Sequence, residues 1–423
     1  MASFNIADYA NALRLVILPY IQDNFPKTTI TLNQLKRNAG VTHMNNNFHA
    51  VMRNKRHGGV TNLANDGNNI NATTGAGVTR GSVGVKTVTG AFNISKLAID
   101  ASSGNRDAIK NSLQFQADTL ITDFSRDLNR QVYGDATGIV AQVAGSTSAT
   151  VFTVKFLNSS TIDDGRTLDY YGSVNGDLTP AAYLYADQQI SIGTNGATRG
   201  TISTVDKAAG TGTVTTTTAG TGAYVADDAV FITDGSGEGE GSAMWNGVRE
   251  ALDSRTGTNL YAGVARSTEG WTPQFGSVSE ALSLSRLELV YLNAKEFAQE
   301  GDRYAIFANK TLYKKYGDLL TSMRRVVNSM ELTAGWSGLE FQAGAGKVGV
   351  FLDYQVPDGE VVIFNLDTWV LCQVSDMSWM EEANQNSLLR LANTITYQAT
   401  LVWFSNIMCL APAANGRDTQ KTD

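Results

Sequence analysis

One run of this chain cannot fold by itself. Between residues 77 and 99, β-branched residues alternate with small or polar ones, as in Val78-Thr-Arg-Gly-Ser-Val-Gly-Val-Lys-Thr-Val-Thr89, and no helical period appears. The two strand-like runs, 77–89 and 91–99, predict a long two-stranded loop. Such a hairpin buries too little apolar surface to be stable alone, so it needs a second surface to lie on. A neighbouring subunit would supply one.

The segment before it is basic. Residues 24–65 contain Lys27, Lys36, Arg37, Arg53, Lys55 and Arg56 with no Asp or Glu, together with His43, His49 and His57. Further upstream, Ala7, Ala10, Leu13, Val16, Ile17 and Tyr20 recur three or four apart and predict an amphipathic helix over 6–22. After the loop, Ile109, Leu113, Ala117, Leu120, Ile121, Phe124, Leu128 and Val132 keep the same steps, from a cap at Ser103 or Asn105 to a stop at Gly134. A helix of about 28 residues makes a rod of roughly 42 Å, long enough to span a domain.

Composition changes at Gly138. Residues 141–245 hold 18 Thr and 15 Gly, with strand-like runs at 149–156, 189–192, 213–217 and 229–232, the pattern of a small β-barrel or sandwich. Four basic residues there (Lys155, Arg166, Arg199, Lys207) face 11 acidic ones, and the chain's 33 basic and 40 acidic residues leave 29 of each sign elsewhere. The net charge of −7 therefore resides in this stretch. Residues 235–242 read as a flexible exit linker. Beyond 245, a helix is predicted over 279–299, a strand over 304–308 and a helix over 310–322. Strands follow at 348–352, 360–365, 369–374 and 394–411, and the last is apolar on both faces, as a central strand is. Residues 415–423 read as a polar tail.

Little here suits catalysis. Cys372 and Cys409 sit in apolar strand-like runs and read as buried thiols, with no disulfide framework or multi-thiolate metal site. No run approaches the ~20 apolar residues of a membrane helix. The opening residues lack the basic region of a signal peptide, so folding in a reducing cytoplasm is expected. The histidine spacings share no helix face. The acidic pairs Asp163-Asp164, Asp227-Asp228 and Glu238-x-Glu240 lie in Gly-rich turns without the apolar walls that separate carboxylate pKa values. The run Phe341-Gln-Ala-Gly-Ala-Gly-Lys347 imitates a phosphate loop, but Phe341 stands where the first Gly belongs and Val348 where the Mg²⁺ hydroxyl belongs. A non-enzyme without cofactor or metal is predicted. The acidic total argues against a generally basic nucleic-acid binder, yet Lys36, Arg37, Arg53, Lys55 and Arg56 form a candidate patch for phosphate or for a partner's acidic surface. Phe48 is the lone aromatic there, so base readout is not expected. Trp336, Trp369, Trp379 and Trp403 read as core or interface anchors.

In order, the parts are a helical arm, a long β loop, a beam-like helix, an acidic β insert, an α/β region and a long closing strand. This layout resembles the major capsid protein of tailed double-stranded DNA bacteriophages, the α+β HK97-like fold. The most family-like wording is Gly346-Lys-Val-Gly-Val-Phe-Leu-Asp-Tyr-Gln-Val-Pro-Asp-Gly-Glu-Val-Val-Ile-Phe-Asn365, a strand, a Pro-Asp-Gly turn and a strand. The resemblance implies an N-arm over 1–57, an E-loop over 58–100 and a peripheral domain with spine helix over 101–140. It further implies an inserted β domain over 141–245, an axial domain over 246–368, closing peripheral strands over 369–415 and a tail over 416–423. It also implies hexamers and pentamers in an icosahedral virion shell, a procapsid built in the host cytoplasm with a portal and a separate scaffolding protein, a decoration protein, and expansion as DNA enters. In that setting the basic patch would touch packaged DNA non-specifically or an adjacent subunit. Arg80 and Lys86 would make E-loop contacts between subunits. Some members link an E-loop lysine to a neighbour's asparagine; Lys86 lies in the matching region, with no matching asparagine identified. The acidic insert would face outward. Two other classes compete: an adhesin or fibre that uses the β insert as a ligand-binding module, and a carbohydrate-active enzyme that uses the acidic pairs.

Overall fold

A computed structural model describes residues 30–53, 55, 57, 75–96, 106–134, 136, 139–148, 150–154, 189–192, 198–206, 213–216, 229–232, 244–252, 260–268, 270–322, 329–332, 336–343, 346–353, 355–357, 359–381, 388–391 and 394–422. The arm helix predicted over 6–22 lies outside them, as do the three acidic pairs.

Five strands open the described chain: β1 (Lys36–Arg37), β2 (Thr42–Met44), β3 (Asn47–Arg53), β4 (Val78–Gly84) and β5 (Lys86–Ser95). Helix α1 (Arg106–Val132) is followed by β6 (Ile139–Ser148), β7 (Val151–Val154), β8 (Gln189–Ile192), β9 (Thr198–Asp206), β10 (Thr213–Thr216) and β11 (Ala229–Ile232). Next come α2 (Val248–Ala251), β12 (Leu260–Tyr261), β13 (Val264–Ala265), β14 (Gln274–Ala281), α3 (Leu284–Glu296), β15 (Tyr304–Ala308) and α4 (Lys310–Ser322). The last part holds β16 (Ser329–Leu332), β17 (Trp336–Ala343), β18 (Gly346–Leu352), β19 (Val361–Asn365), β20 (Trp369–Gln373), β21 (Ser378–Trp379), β22 (Leu388–Arg390), β23 (Thr396–Cys409) and β24 (Gly416–Thr422).

Helix α1 follows its sequence period. Ala117, Ile121, Phe124, Leu128 and Val132 line one side and are buried, and the helix ends where the Gly134 N–H turns back to the Gln131 carbonyl. Its 27 residues make a beam of about 40 Å. Two sheets share the core on its buried side.

The first sheet is built on β23, with β20, β21 and β22 along one edge and β5 along the other. Residues in β23 at alternate positions, Ala399, Leu401, Trp403 and Ile407, enter the shared core, while Met408 on the opposite face packs under the small sheet of β2, β3 and β4. A Cβ on Gly90 of β5 would stand 3.2 Å from Leu120 and Phe124, so glycine lets α1 lie close on that strand.

The prediction of one two-stranded loop over 77–99 is corrected here. β4 pairs antiparallel with β3, whereas β5 leaves it and pairs with β23 from Lys86 opposite Ser405 to Ser95 opposite Thr396. Alternation reveals strands, but it carries no information about which strand each one faces.

The second sheet has the order β14-β24-β19-β15-β18-β17-β16. Its central strands bury both faces. Ala305, Phe307, Phe351, Val362 and Phe364 point into the core shared with α1, while Ile306, Val350 and Ile363 point to α3 and α4, where Leu287, Val290, Tyr291, Leu312 and Tyr316 cover them. The polar tail expected at 415–423 is instead strand β24, seated between β14 and β19, with residues 412–419 buried. Its polar letters are matched by buried partners that lie far away in sequence.

The Thr/Gly-rich stretch closes into a six-stranded barrel, β10-β7-β6-β11-β8-β9. Val143, Phe152, Ile190, Ile192, Ile202 and Val230 are buried along its strands, the filled interior of a small barrel. Entry and exit of this stretch meet: a Cβ on Gly247 would collide with the Gly134 backbone, and the Arg249 N–H donates to the Gly134 carbonyl at 3.1 Å. A chain stopped after Asn415 is expected to lose its cooperative thermal transition, followed by near-UV circular dichroism, because β14 and β19 are then left without their common neighbour. The milder change Leu128→Ala is expected to lower stability by about 2–5 kcal/mol in a urea titration of the unassembled chain.

Candidate assembly surface

β2, β3 and β4 form a small sheet that leans on the β20 and β23 end of the first sheet. Its inner face, Phe48, Ala50 and Val83, packs on Val370, Cys372 and Met408. A Cβ on Gly81 would meet the terminal methyls of Met52 and Met408, which would have to shift to admit a larger residue. The outer face of the β3–β4 ribbon presents His49, Val51 and Arg53 beside Val78, Arg80 and Ser82. Val51 is 72% and Val78 63% exposed, a high figure for β-branched residues in paired strands.

The residues singled out in the sequence do not form one patch. β1 pairs parallel with β20, and there Lys36 meets Asp367 at 2.8 Å and Arg37 meets Asp376 at 3.7 Å. The Asn38 side chain reinforces the seam, donating to the Gln373 carbonyl and accepting from the Gln373 N–H. Two of the five cations thus bind carboxylates of their own chain. Arg53 and Lys55 are exposed at the far end of the ribbon, with Arg53 about 20 Å along β3 from Asn47. Arg80 is exposed beside them on β4, and Arg56 lies outside the described residues. Lys86 is half-buried in β5, where burial holds its ammonium below its ordinary pKa.

A buried polar seam elsewhere in the body went unseen in the sequence. The Glu360 carboxylate accepts from Arg249 at 2.9 Å and from Arg417 at 2.6 and 3.0 Å, and all three side chains are buried. Burial alone would raise its pKa; the guanidiniums of Arg249 and Arg417 reverse that and hold it well below the usual carboxylate range. A second carboxylate, Asp353, accepts from Thr31, from Asn129 and Tyr133 at the end of α1, and from the Gln355 N–H. Asn415 accepts from the Asn365 N–H and the Trp369 indole and donates to Thr368 and Ala411. These contacts join residues up to 322 positions apart, which no local spacing signals.

The remaining motifs resolve simply. The phosphate-loop imitation lies on the paired strands β17 and β18, with Ala343 opposite Gly346, and no helix follows it directly. Both cysteines are buried, and burial pushes each thiol up to about 12. Trp369, Trp379 and Trp403 are core residues, joined by Trp245, whose ring meets Trp403 edge to face at 5.5 Å. The Trp336 side chain lies outside the described set. Among the described residues no group of His, Cys, Asp or Glu could hold a metal ion, and no helix is long and apolar enough to cross a membrane.

No protein-family model matches this chain, and no curated protein matches it. Solved structures do. The chain is similar to the cyanophage A-1(L) capsid asymmetric unit, with a TM-score of 0.52 and 11% identity over 94% of each chain. The fold is that of HK97-like capsid proteins. Weaker likenesses are found to the SrpI encapsulin complex of Synechococcus elongatus PCC 7942 (TM-score 0.41, 7% identity, covering 88% of this chain and 82% of that one) and to the native GTA particle capsid (TM-score 0.41, 7% identity, covering 93% and 90%).

Within this capsid fold the Glu360 cluster makes acid sensitivity predictable. The folded-state pKa of Glu360 lies below its ordinary 4.5, so its contribution to stability is present above that pH and is lost as pH falls toward about 2. Glu360→Gln is expected to flatten that part of a stability-against-pH curve measured by urea unfolding. Arg417→Ala is expected to cost about 3–5 kcal/mol at neutral pH, since it leaves a buried carboxylate with one partner.

Proposed function

We propose that this chain is the major capsid protein of a tailed bacteriophage, assembling as hexamers and pentamers into an icosahedral shell around double-stranded DNA. The observation that carries this reading is the fold shared with a cyanophage capsid subunit over 94% of both chains. The ribbon adds a physical reason: its outer face carries the exposed Val51 and Val78, and two strands exposed on one side gain by being covered in an assembly.

In this reading residues 1–57 form the N-arm, which supplies β3, residues 58–100 form the E-loop, which supplies β4 and β5, and α1 is the spine. The first sheet is then the core of the peripheral domain, the second sheet with α3 and α4 the axial domain, and the barrel an inserted domain. A separate scaffolding protein, a portal and a decoration protein are the expected partners, with expansion from a procapsid in the host cytoplasm and a virion as the final location. The role is structural rather than enzymatic. The described barrel strands bury Val143, Phe152, Ile190, Ile192, Ile202 and Val230, apolar side chains that suit a structural role.

Negative-stain electron microscopy of the full chain, alone and with the scaffold from its genome, tests this. Closed shells, or rings of five and six, are the expected result; monomers or trimers under both conditions would overturn it.

A further inference from the structure

The groove between β14 and β19 is built to read one sequence. β24 lies in it, parallel to β14 and antiparallel to β19, and among the described strands β14 pairs with no other. Residues 415–423 contain no apolar side chain, so hydrophobic burial does not draw this segment into the sheet. Each of five consecutive residues meets its own reader instead. The Asn415 side-chain oxygen accepts from the Asn365 N–H at 2.7 Å and from the Trp369 indole at 2.9 Å. A Cβ on Gly416 would stand 2.7 Å from a Val290 methyl of α3, so that place takes glycine. Arg417 meets Glu360 at 2.6 Å and lies over the Phe275 ring at 5.6 Å from its centre. Asp418 pairs with Arg286 at 3.4 Å, and the Thr419 hydroxyl donates to the Gly276 carbonyl at 3.1 Å.

We propose that this groove is a recognition site for an extended Asn-Gly-Arg-Asp-Thr peptide, that residues 415–419 of the same chain are its ligand, and that they enter last, so the finished fold waits on their arrival. Strand addition takes affinity from the main chain and specificity from side-chain pockets, which is the division of labour here. Every reader, from Phe275 to Trp369, precedes the ligand in sequence, so the site is synthesised first. A polar segment gains nothing by ordering until those readers stand in place, because a buried charge without its partner costs more than it returns. Until then β19 is a bare sheet edge, the kind of strand that pairs with foreign chains. The charged ligand closes that edge against segments that lack the code. The unassembled chain does this, whatever it goes on to build.

Pulse-labelling hydrogen exchange, read by mass spectrometry on the refolding full-length chain, tests the order. Amides of 416–419 and 274–277 are expected to gain protection together and after those of 304–308; protection of 416–419 before or with 304–308 would overturn the proposal. Native-state exchange then tests the code. Asp418→Arg is expected to speed exchange at 416–419 by roughly a hundredfold or more, the factor for breaking a buried ion pair, and the further change Arg286→Asp to recover most of that loss. A double variant that exchanges as fast as the single one would show that charge does not read the segment, and the proposal would fall. Should Asp418→Arg not fold, recovery of the folded state by Arg286→Asp is the equivalent readout, and its absence overturns the proposal as well.

Discussion

Glu360, held between Arg249 and Arg417, is the interaction on which the rest of the structure depends. Arg249 follows the barrel and touches the end of α1, Glu360 leads into β19, and Arg417 comes from the last strand. Three distant parts of the chain therefore meet at one carboxylate. A charge buried this deeply is costly unless all its partners are present, so the cluster forms only when helix, sheet and C-terminal strand are assembled together. Asp353 and Asn415 extend the same logic along the seam, one tying Thr31 and α1 to the end of β18, the other tying β24 to the turn between β19 and β20.

This seam makes a rigid body that presents a separate surface. The shared core and the polar cluster fix α1 against the two sheets, while the ribbon packs on the body by one apolar face and the preceding β1 is held to β20 by a charged seam. Exposed ion pairs of that kind are worth at most about 1 kcal/mol each and weaken with salt. Buried Arg and Glu thus hold the inside together, while exposed Arg and Val are left on the outer face of the ribbon. The barrel adds a third unit whose entry and exit are set side by side by Gly134 and Gly247, so its strands begin and end at a single point of the body.

Much of the element order was legible in the chain, because periodicity depends on neighbours three, four or two residues away. α1 kept its apolar steps from Ala117 to Val132, β15 and α4 fell where the pattern placed them, and β23 showed its central position by being apolar on both faces. The bulk of the barrel strands followed from turn residues and β-branching, and both cysteines from their apolar runs. Of the candidate surface, the basic residues themselves were legible, since a run without acids is a property of the sequence.

What tertiary structure alone decided was pairing. Whether β4 meets β3 or β5, whether Lys36 faces a phosphate or Asp367, and whether the polar letters after Asn415 trail in water or fill a central strand all depend on groups well beyond the local sequence window. Local sequence encodes which residues are apolar and with what period, because burial acts on each side chain separately. Charge and strand partners are properties of two sites at once, and they exist only after the chain has brought those sites together.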